Sequence, residues 1–485
     1  MSISAPSRPA SGIDRWFSLS ARGSTYGREV RGGLVTFFTM AYIVVLNPLI
    51  IGTAKDMNGL YVGGTDDVIK AITMVTAATA LVAGLMTILM GAIGRFPVAV
   101  AAGLGLNGFV AFTLAPQMTW ADAMGLVVLE GILILLLVLT GFRSAVFSAV
   151  PEQLKYAIGV GIGLFITIIG LVDSGIVRSG VPLISFGIFG ELQGWPIFTF
   201  CIGLLVTIVL VVRKVKGAIL IGILATTVLA IIIEAVAGVG AKTADNPTGW
   251  GLNVPAVPET IVATPDLGLL GQFSLFGSFQ VIGVIASLLA IFSLMLSDFF
   301  DTMGTAFGLA TEAELLDEKG DIPHFESILV VDSIAAAAGG AASVSSNTSY
   351  IESASGVGEG ARTGIASIVT GALFLIAMFF SPLVTIIPYE AATPALVVVG
   401  FLMMTQIRHI DFTDYSIGIP AFLTIAIMPF TYSITNGIGA GFVSWLVIKI
   451  FTGKAREVSW LMWVISIAYI VYFAIYPIQV VLGLK

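Results

Sequence analysis

The sequence predicts an all-α polytopic membrane protein with about fourteen transmembrane segments in two inverted repeats of seven, and short extended segments in spans 3 and 10. Four observations lead there. Apolar residues make up 57% of the 485-residue chain and charged residues 11%, with a mean hydropathy of +1.03. Windows of roughly 18 or more apolar residues recur along it, each long enough to cross a bilayer. A polar stretch at 239–279, containing "ADNPTG", divides these windows into halves of about seven, and an odd number per half inserts the second half upside down. Finally, "VAAGLGLNGFVAF" (100–112) and "SSNTSYIESASGV" (345–357) both fall at the third span of a half, which sets Asn107 against Glu352.

Taken in order, the first thirty residues are polar and carry Arg8, Arg15, Arg22, Arg28 and Arg31. No small-residue cleavage site follows a short apolar region, so this segment reads as a retained cytoplasmic N-terminus. Apolar windows follow near 33–52, 70–94, 97–116, 121–142, 153–173, 195–213 and 217–238. After the polar stretch come 280–310, 326–343, 345–358, 363–388, 391–407, 417–435 and 436–452, and then a further segment at 458–482 that is either an extra helix or an interfacial one. This alternation puts Arg95, Arg143 with Lys155, the cluster Arg213, Lys214 and Lys216, Arg362, Arg408, and Lys454 with Arg456 on the side of the N-terminus, as the positive-inside bias requires. The acidic loop "EAELLDEKGD" (312–321) lands on the same side, where carboxylates weigh little in orientation.

Several chemistries are excluded. No Gly-rich phosphate loop follows a strand, no Cys/His spacing suits a metal, and no serine is paired with a base, so neither ATP-driven pumping nor a cofactor is expected. The single cysteine, Cys201, reads as a small buried hydrophobe. The net charge of −7 says little about partners; no nucleic acid is expected.

Spans 3 and 10 begin with poor helix formers. "FPVAVAAG" is rich in proline and β-branched residues, and "ASVSSNT" in Ser, Thr and Asn, which favour caps and extended backbone. Irregular backbone survives at membrane depth where it is buried in protein or lines a cavity. Each span therefore reads as an extended piece followed by a half-helix, starting near Gly105 and near Ser349, whose free N–H groups suit an electron-rich ligand. Three acids accompany them. Glu352 lies in the second broken span, and "LSDFFDTMGT" (296–305) places Asp298 and Asp301 three apart, on a helix face with Thr302 and Thr305. Carboxylates inside a membrane mark substrate or proton paths. Glu130 and Glu234 stand isolated, so packing or snorkelling explains them equally well. His324 and His409 read as solvated loop residues.

Five ordered blocks make the sequence similar to a known family: "RGGLVTFFTMAYIVVLNPLIIG" (31–52), "GLGLNGFVAF" (103–112), "SDFFDTMGTAFGLA" (297–310), "SNTSYIESASGVGEGARTG" (346–364) and "ATPALVVVGFLMM" (392–404). Together they resemble the nucleobase:cation symporter-2 family, in its AzgA-like purine branch. The resemblance implies a core domain (31–145, spans 1–4, and 280–388, spans 8–11) and a gate domain (146–240, spans 5–7, and 389–485, spans 12–14 plus the extra segment), flanking an N-terminal segment at 1–30 and an extracytoplasmic loop at 241–279. It implies proton-coupled uptake of adenine, guanine or hypoxanthine across the plasma membrane, and a homodimer formed through the gate; Na⁺ stays open as the coupling ion. Carried over by position, the third-span asparagine of the branch falls on Asn107, the eighth-span acids on Asp298 and Asp301, and the tenth-span glutamate on Glu352. Uracil and xanthine branches have a glutamate where Asp298 stands and, in some members, a histidine where Thr302 stands, which favours purines.

On this reading Glu352 and Asp298 hydrogen-bond the edges of a purine, backbone N–H groups near Ser349 and Tyr350 meet a ring nitrogen or exocyclic oxygen, and Phe109 or Phe300 stacks on its face. Thr302 lines the site. Asp301, with Glu352, carries the proton, and Asn107 orients Asp301 or closes the core across the repeat. Two other classes remain to be separated. One is a sulfate or bicarbonate carrier of the same fold, which three acids disfavour; the other is an intramembrane aspartyl protease, which needs its two Asp on different spans.

Overall fold

The computed structural model describes residues 12–141, 149–180, 183–188, 190–318, 322–475 and 477. Among these, ten helices are long and apolar enough to cross a membrane. Numbering elements in chain order, α1 (Gly12–Phe17) lies ahead of the first span, which is built from α2 (Tyr26–Met40) and α3 (Ile43–Ile51). The second is α4 (Val68–Leu89), prolonged by a wider turn to Gly94. The third is broken: strand β1 (Val100–Ala102), then α5 (Leu104–Phe109). Then come α6 (Trp120–Leu139), α7 (Glu152–Asp173), a surface hairpin of β2 (Val177–Ser179) and β3 (Ile184–Phe186), α8 (Trp195–Val212) and α9 (Ala218–Ala237).

A short α10 (Gly277–Val281) opens the second half. It is followed by α11 (Val284–Glu312), α12 (Phe325–Ala341), strand β4 (Asn347–Ser349) with the half-helix α13 (Ala354–Gly358), α14 (Gly364–Ala377) and α15 (Ser381–Val384). The chain then runs through α16 (Tyr389–Met404), α17 (Tyr415–Thr431), α18 (Ile434–Phe451) and α19 (Trp460–Phe473). Side-chain caps start many of these helices. Thr25, Asp67, Thr119, Thr363, Asp414, Ser433 and Ser459 each accept from a first-turn N–H, satisfying donors that have no partner inside the helix.

The ten long helices, the 17-residue α12 and α17 and the two broken spans make the fourteen segments expected. The segment at 458–482 is additional. Its 14-residue helix α19, about 21 Å long, docks on α18 and α11, and Tyr469, fully buried, shares a 3.0 Å hydrogen bond with Ser293.

Repeat symmetry is visible in the packing. α7 pairs with α16, its counterpart in the other half; α8 rests on α16 as α17 rests on α7; α4 crosses α14 as α12 crosses α6. Strands β1 and β4 pair antiparallel with Val100 opposite Ser349, Ala101 opposite Thr348 and Ala102 opposite Asn347. A two-fold axis along the membrane normal would keep the two strands parallel; only an axis in the membrane plane makes them run in opposite directions. The pairing is centred on Ala101 opposite Thr348.

Glycines set how closely the crossing helices approach. A Cβ on Gly364 would lie 2.0 Å from the carbonyl oxygen of Gly91, and one on Gly371 2.5 Å from that of Gly84. At the equivalent crossing, a Cβ on Gly131 would lie 2.4 Å from the Ala337 nitrogen and one on Gly340 2.7 Å from the Val128 nitrogen. The polar stretch at 241–279 is an ordered cover: Gly271 N–H reaches the Ala341 carbonyl, Ser274 N–H that of Ala121 and Ala263 N–H that of Phe379. Glu234 belongs to this cover. Its carboxylate accepts from Val239 and Gly240 N–H and from the indole of the buried Trp250 at 2.8 Å, so its role is to close a loop.

Loops placed on one side by their basic residues do come together. Arg22 donates to the carbonyls of Arg95 and Arg362, and Glu359 binds both Arg31 and Lys216. Arg143 lies outside the described residues.

Candidate functional site

The site forms where the two strands pair. Pro97 and the β-branched Val98 and Val100 on one side keep the chain extended, and on the other Ser343 and Ser345, both in the left-handed region (φ 56° and 70°), stop the preceding helix at a depth where it would otherwise continue. Neighbouring helices satisfy the exposed backbone. Thr87 Oγ1 meets both the N–H and the carbonyl of Val100 at 2.9 Å, and Ser367 donates to the carbonyls of Phe96 and Val98 at 2.8 and 2.9 Å. Backbone polar groups at membrane depth require such partners.

Around β4 the partners are carboxyls. On α11, Asp298 and Thr302 are fully buried and Thr305 nearly so, spaced as one inward face, whereas Asp301 is exposed. The common face expected for the two aspartates is therefore divided between interior and opening. Thr302 Oγ1 donates to Asp332 Oδ2 at 2.7 Å and shares a 2.9 Å bond with Thr348 Oγ1, while Ser349 Oγ donates to Asp332 Oδ1 at 2.9 Å. Asp298 has Glu130, Asp332 and Asp301 as its charged neighbours, and Asp301 has Glu352 and Asp332. None of the three ion pairs found among the described residues involves any of these acids.

Glu352 stands at the start of the second half-helix, half-buried. Tyr42, from the first span, donates its hydroxyl to Glu352 Oε1, and Thr39 Oγ1 reaches the Glu352 carbonyl at 3.4 Å. Along α11 the face carrying Asp301 continues through Gly304 and Gly308, both exposed, and a Cβ on Gly304 would meet nothing within 4 Å. Ile351 is likewise exposed. Asp301 and Glu352 thus border an open slot beside α11.

Other expected contacts are differently disposed. The Ser349 N–H is directed to Thr302 Oγ1 at 3.4 Å and the Tyr350 N–H to the Ala99 carbonyl at 2.9 Å, while the Tyr350 hydroxyl donates to the Ala102 carbonyl at 2.5 Å. A hydroxyl of α11 and a carbonyl of the first broken span thus occupy the two amides expected to meet a ligand. Asn107 is completely buried, makes no hydrogen bond to Asp301, and both polar atoms of its side chain lack partners; it sits on α5, which packs against α7, as does the buried Phe109. The side chain of Phe300 lies outside the described residues.

The structure adds two acids that sequence reasoning undervalued. Asp332, 3% exposed, interrupts the apolar run "ILVVDSIAAAA" (328–338), and the rule that singled out Asp298 applies to it equally. Glu130, 0% exposed, is not isolated: it accepts from Ser346 at 3.4 Å and faces Asp298 and Asp332 across the α6 contacts with α11 and α12. Its partners lie more than 160 positions away, so no spacing pattern could reveal them.

Among the described residues, no group of three or more His, Cys, Asp and Glu is disposed to hold a metal ion. A separate small polar cavity at the ends of α7 and α16 is lined by Asp173, Arg178, Lys242 and Glu390, with Glu390 accepting from Gly251 N–H at 3.1 Å.

Residues 27–439 match the Xan_ur_permease profile, described as a permease family. The chain belongs to this family, the nucleobase:cation symporter-2 permeases. Guanine/hypoxanthine permease PbuG of Bacillus subtilis is 36% identical over 94% of this chain and 98% of its own length, and adenine permease AdeP of Escherichia coli is 36% identical over 92% of each. The transmembrane domain of the cyanobacterial bicarbonate transporter BicA superposes with a TM-score of 0.58 at 15% identity, covering 85% of this chain and 96% of that domain. That likeness concerns fold alone. The permease is thus a multi-pass transporter of the plasma membrane and not an enzyme.

Proposed function

We propose that this permease takes up purine nucleobases (adenine, guanine or hypoxanthine) together with a proton. The observation carrying the reading is the cluster of carboxyls at the crossing of two broken spans, paired with no basic side chain among the described residues. A purine offers N–H donors on its edges, which carboxylates accept, and buried acids are suited to take up and release protons. Glu352 and Asp298 bind the base, Asp301 and Glu352 exchange protons through the open slot, and Thr302 holds the strand pair in register behind them. The purine-permease names of the relatives point the same way.

Uptake proceeds by movement of one part of the fold against the other. Spans 1–4 and 8–11 form a core (31–145 and 280–388) that slides against a gate of spans 5–7 and 12–14 (146–240 and 389–485), opening the site alternately to each side. The basic loops and the segment at 1–30 face the cytoplasm, and the cover at 241–279 faces outward. Two copies associate through the gate. An anion carrier is the second reading, favoured by the fold shared with a bicarbonate transporter; it would need positive charge where this site has acids.

Purified protein in liposomes, given radiolabelled hypoxanthine, tests these readings. Uptake should be saturable, driven by an acidic exterior without sodium, competed by adenine and guanine and untouched by uracil or sulfate. Asp301→Asn should still exchange substrate but no longer concentrate it. Competition by sulfate, or accumulation by Asp301→Asn equal to wild type under a pH gradient, would overturn the corresponding part.

A further inference from the structure

We propose that the translocated proton is held by the buried carboxyl pair Glu130–Asp298 and reaches it through Asp301. The inference rests on proton-coupled transport as read above and identifies the seat of the proton within it.

Three carboxyls, Glu130 on α6, Asp298 on α11 and Asp332 on α12, converge with 0%, 0% and 3% exposure. Among the described residues, the charged groups facing Asp298 are Glu130, Asp332 and Asp301, and those facing Glu130 are Asp298 and Asp332; all are acids. Carboxylates buried together without a cation cannot all ionise. Hydrogen bonding decides which one does. Asp332 receives two hydroxyl donors, at 2.7 and 2.9 Å, which favour its charged form over that of its neighbours. No donor meets hydrogen-bond geometry at either oxygen of Asp298 or at Oε2 of Glu130, Glu130 Oε1 has a 3.4 Å contact from Ser346, and the two carboxyls face each other. A carboxyl without donors is stabilised by a proton of its own, and two such groups side by side share it.

The pair therefore has two accessible states: one shared proton with a single negative charge, or two protons and no charge. Asp301 is exposed to the slot and interacts with Asp298, which makes it the port. In loading, its O–H bond breaks as an O–H bond forms on the pair; release reverses this on the other side. Packing alone does not call for acids here. In the first repeat the neutral Thr87 pins β1, the task Asp332 performs for β4, and no carboxyl accompanies it.

Hypoxanthine binding to the purified protein, followed across pH, tests the pair. In the wild type log Kd should change with pH with a slope of about one, the signature of one proton taken up with the substrate. Glu130→Gln should bind hypoxanthine with a slope of about zero, exchange it across liposome membranes independently of pH, and fail to concentrate it, while Glu130→Asp restores the slope. An unchanged slope in Glu130→Gln overturns the assignment. Should that variant fail to fold, infrared spectra of the wild type decide: a C=O band of protonated carboxyls at neutral pH, altered by hypoxanthine, supports the pair, and its absence overturns it. A wild type that binds no hypoxanthine overturns the functional reading, and the band in the resting protein then judges the pair alone.

Discussion

Glu352→Gln is expected to weaken hypoxanthine binding about ten- to a hundredfold, the range for losing a hydrogen bond to a charged acceptor. The amide is isosteric and keeps one oxygen for the Tyr42 hydroxyl, so the second broken span should stay in place. What it loses is the charge and the second acceptor presented to the slot. Tyr42→Phe provides the control, because it leaves the carboxylate intact and removes only its support; a smaller loss is expected from it. Binding measured by scintillation proximity with radiolabelled hypoxanthine checks both. Affinity in Glu352→Gln equal to wild type would remove Glu352 from the site.

Gly364→Val is expected to prevent a stable fold. At the crossing of α4 and α14 a Cβ at 364 would lie 2.0 Å from the Gly91 oxygen and 2.7 Å from its carbonyl carbon. Both obstacles are backbone, so no side-chain rotation relieves them and the helices must separate. Overpacking in a close-packed interior typically costs about 1–3 kcal/mol and more where nothing yields. Separation here would also loosen the Ser367 bonds that hold residues 96–98 extended. Size-exclusion profiles and melting temperatures in detergent measure the effect: Gly364→Ala should melt lower, and Gly364→Val should aggregate. A monodisperse Gly364→Val with unchanged melting would refute the close crossing.

Much of this architecture was legible in the sequence. Span count, the division at 239–279 and the two broken spans follow from hydropathy and from local backbone preferences, because lipid exposure imposes apolar length and Ser, Thr, Pro and Val resist helix. Legibility ended where geometry depends on partners distant in the chain. Helical spacing placed Asp298 and Asp301 on one face, yet burial separates them, since the packing of α11 on α6 and β4 buries Asp298 and leaves Asp301 open. The amides of Ser349 and Tyr350 looked free because their acceptors, Thr302 and Ala99, lie in other spans. Glu130 and Asp332 each stand alone in an apolar run, and only the fold makes them neighbours.

The antiparallel pairing of β1 with β4, with α4 locked against α14 and α6 against α12, means that neither half of the polypeptide closes on itself. Each supplies the surface the other lacks. A chain severed at the exposed Glu259 should therefore regain function when both fragments are made in one cell, and either fragment made alone should be degraded. The two halves are thus interlaced, and assembly depends on their mutual surfaces rather than on an unbroken linker.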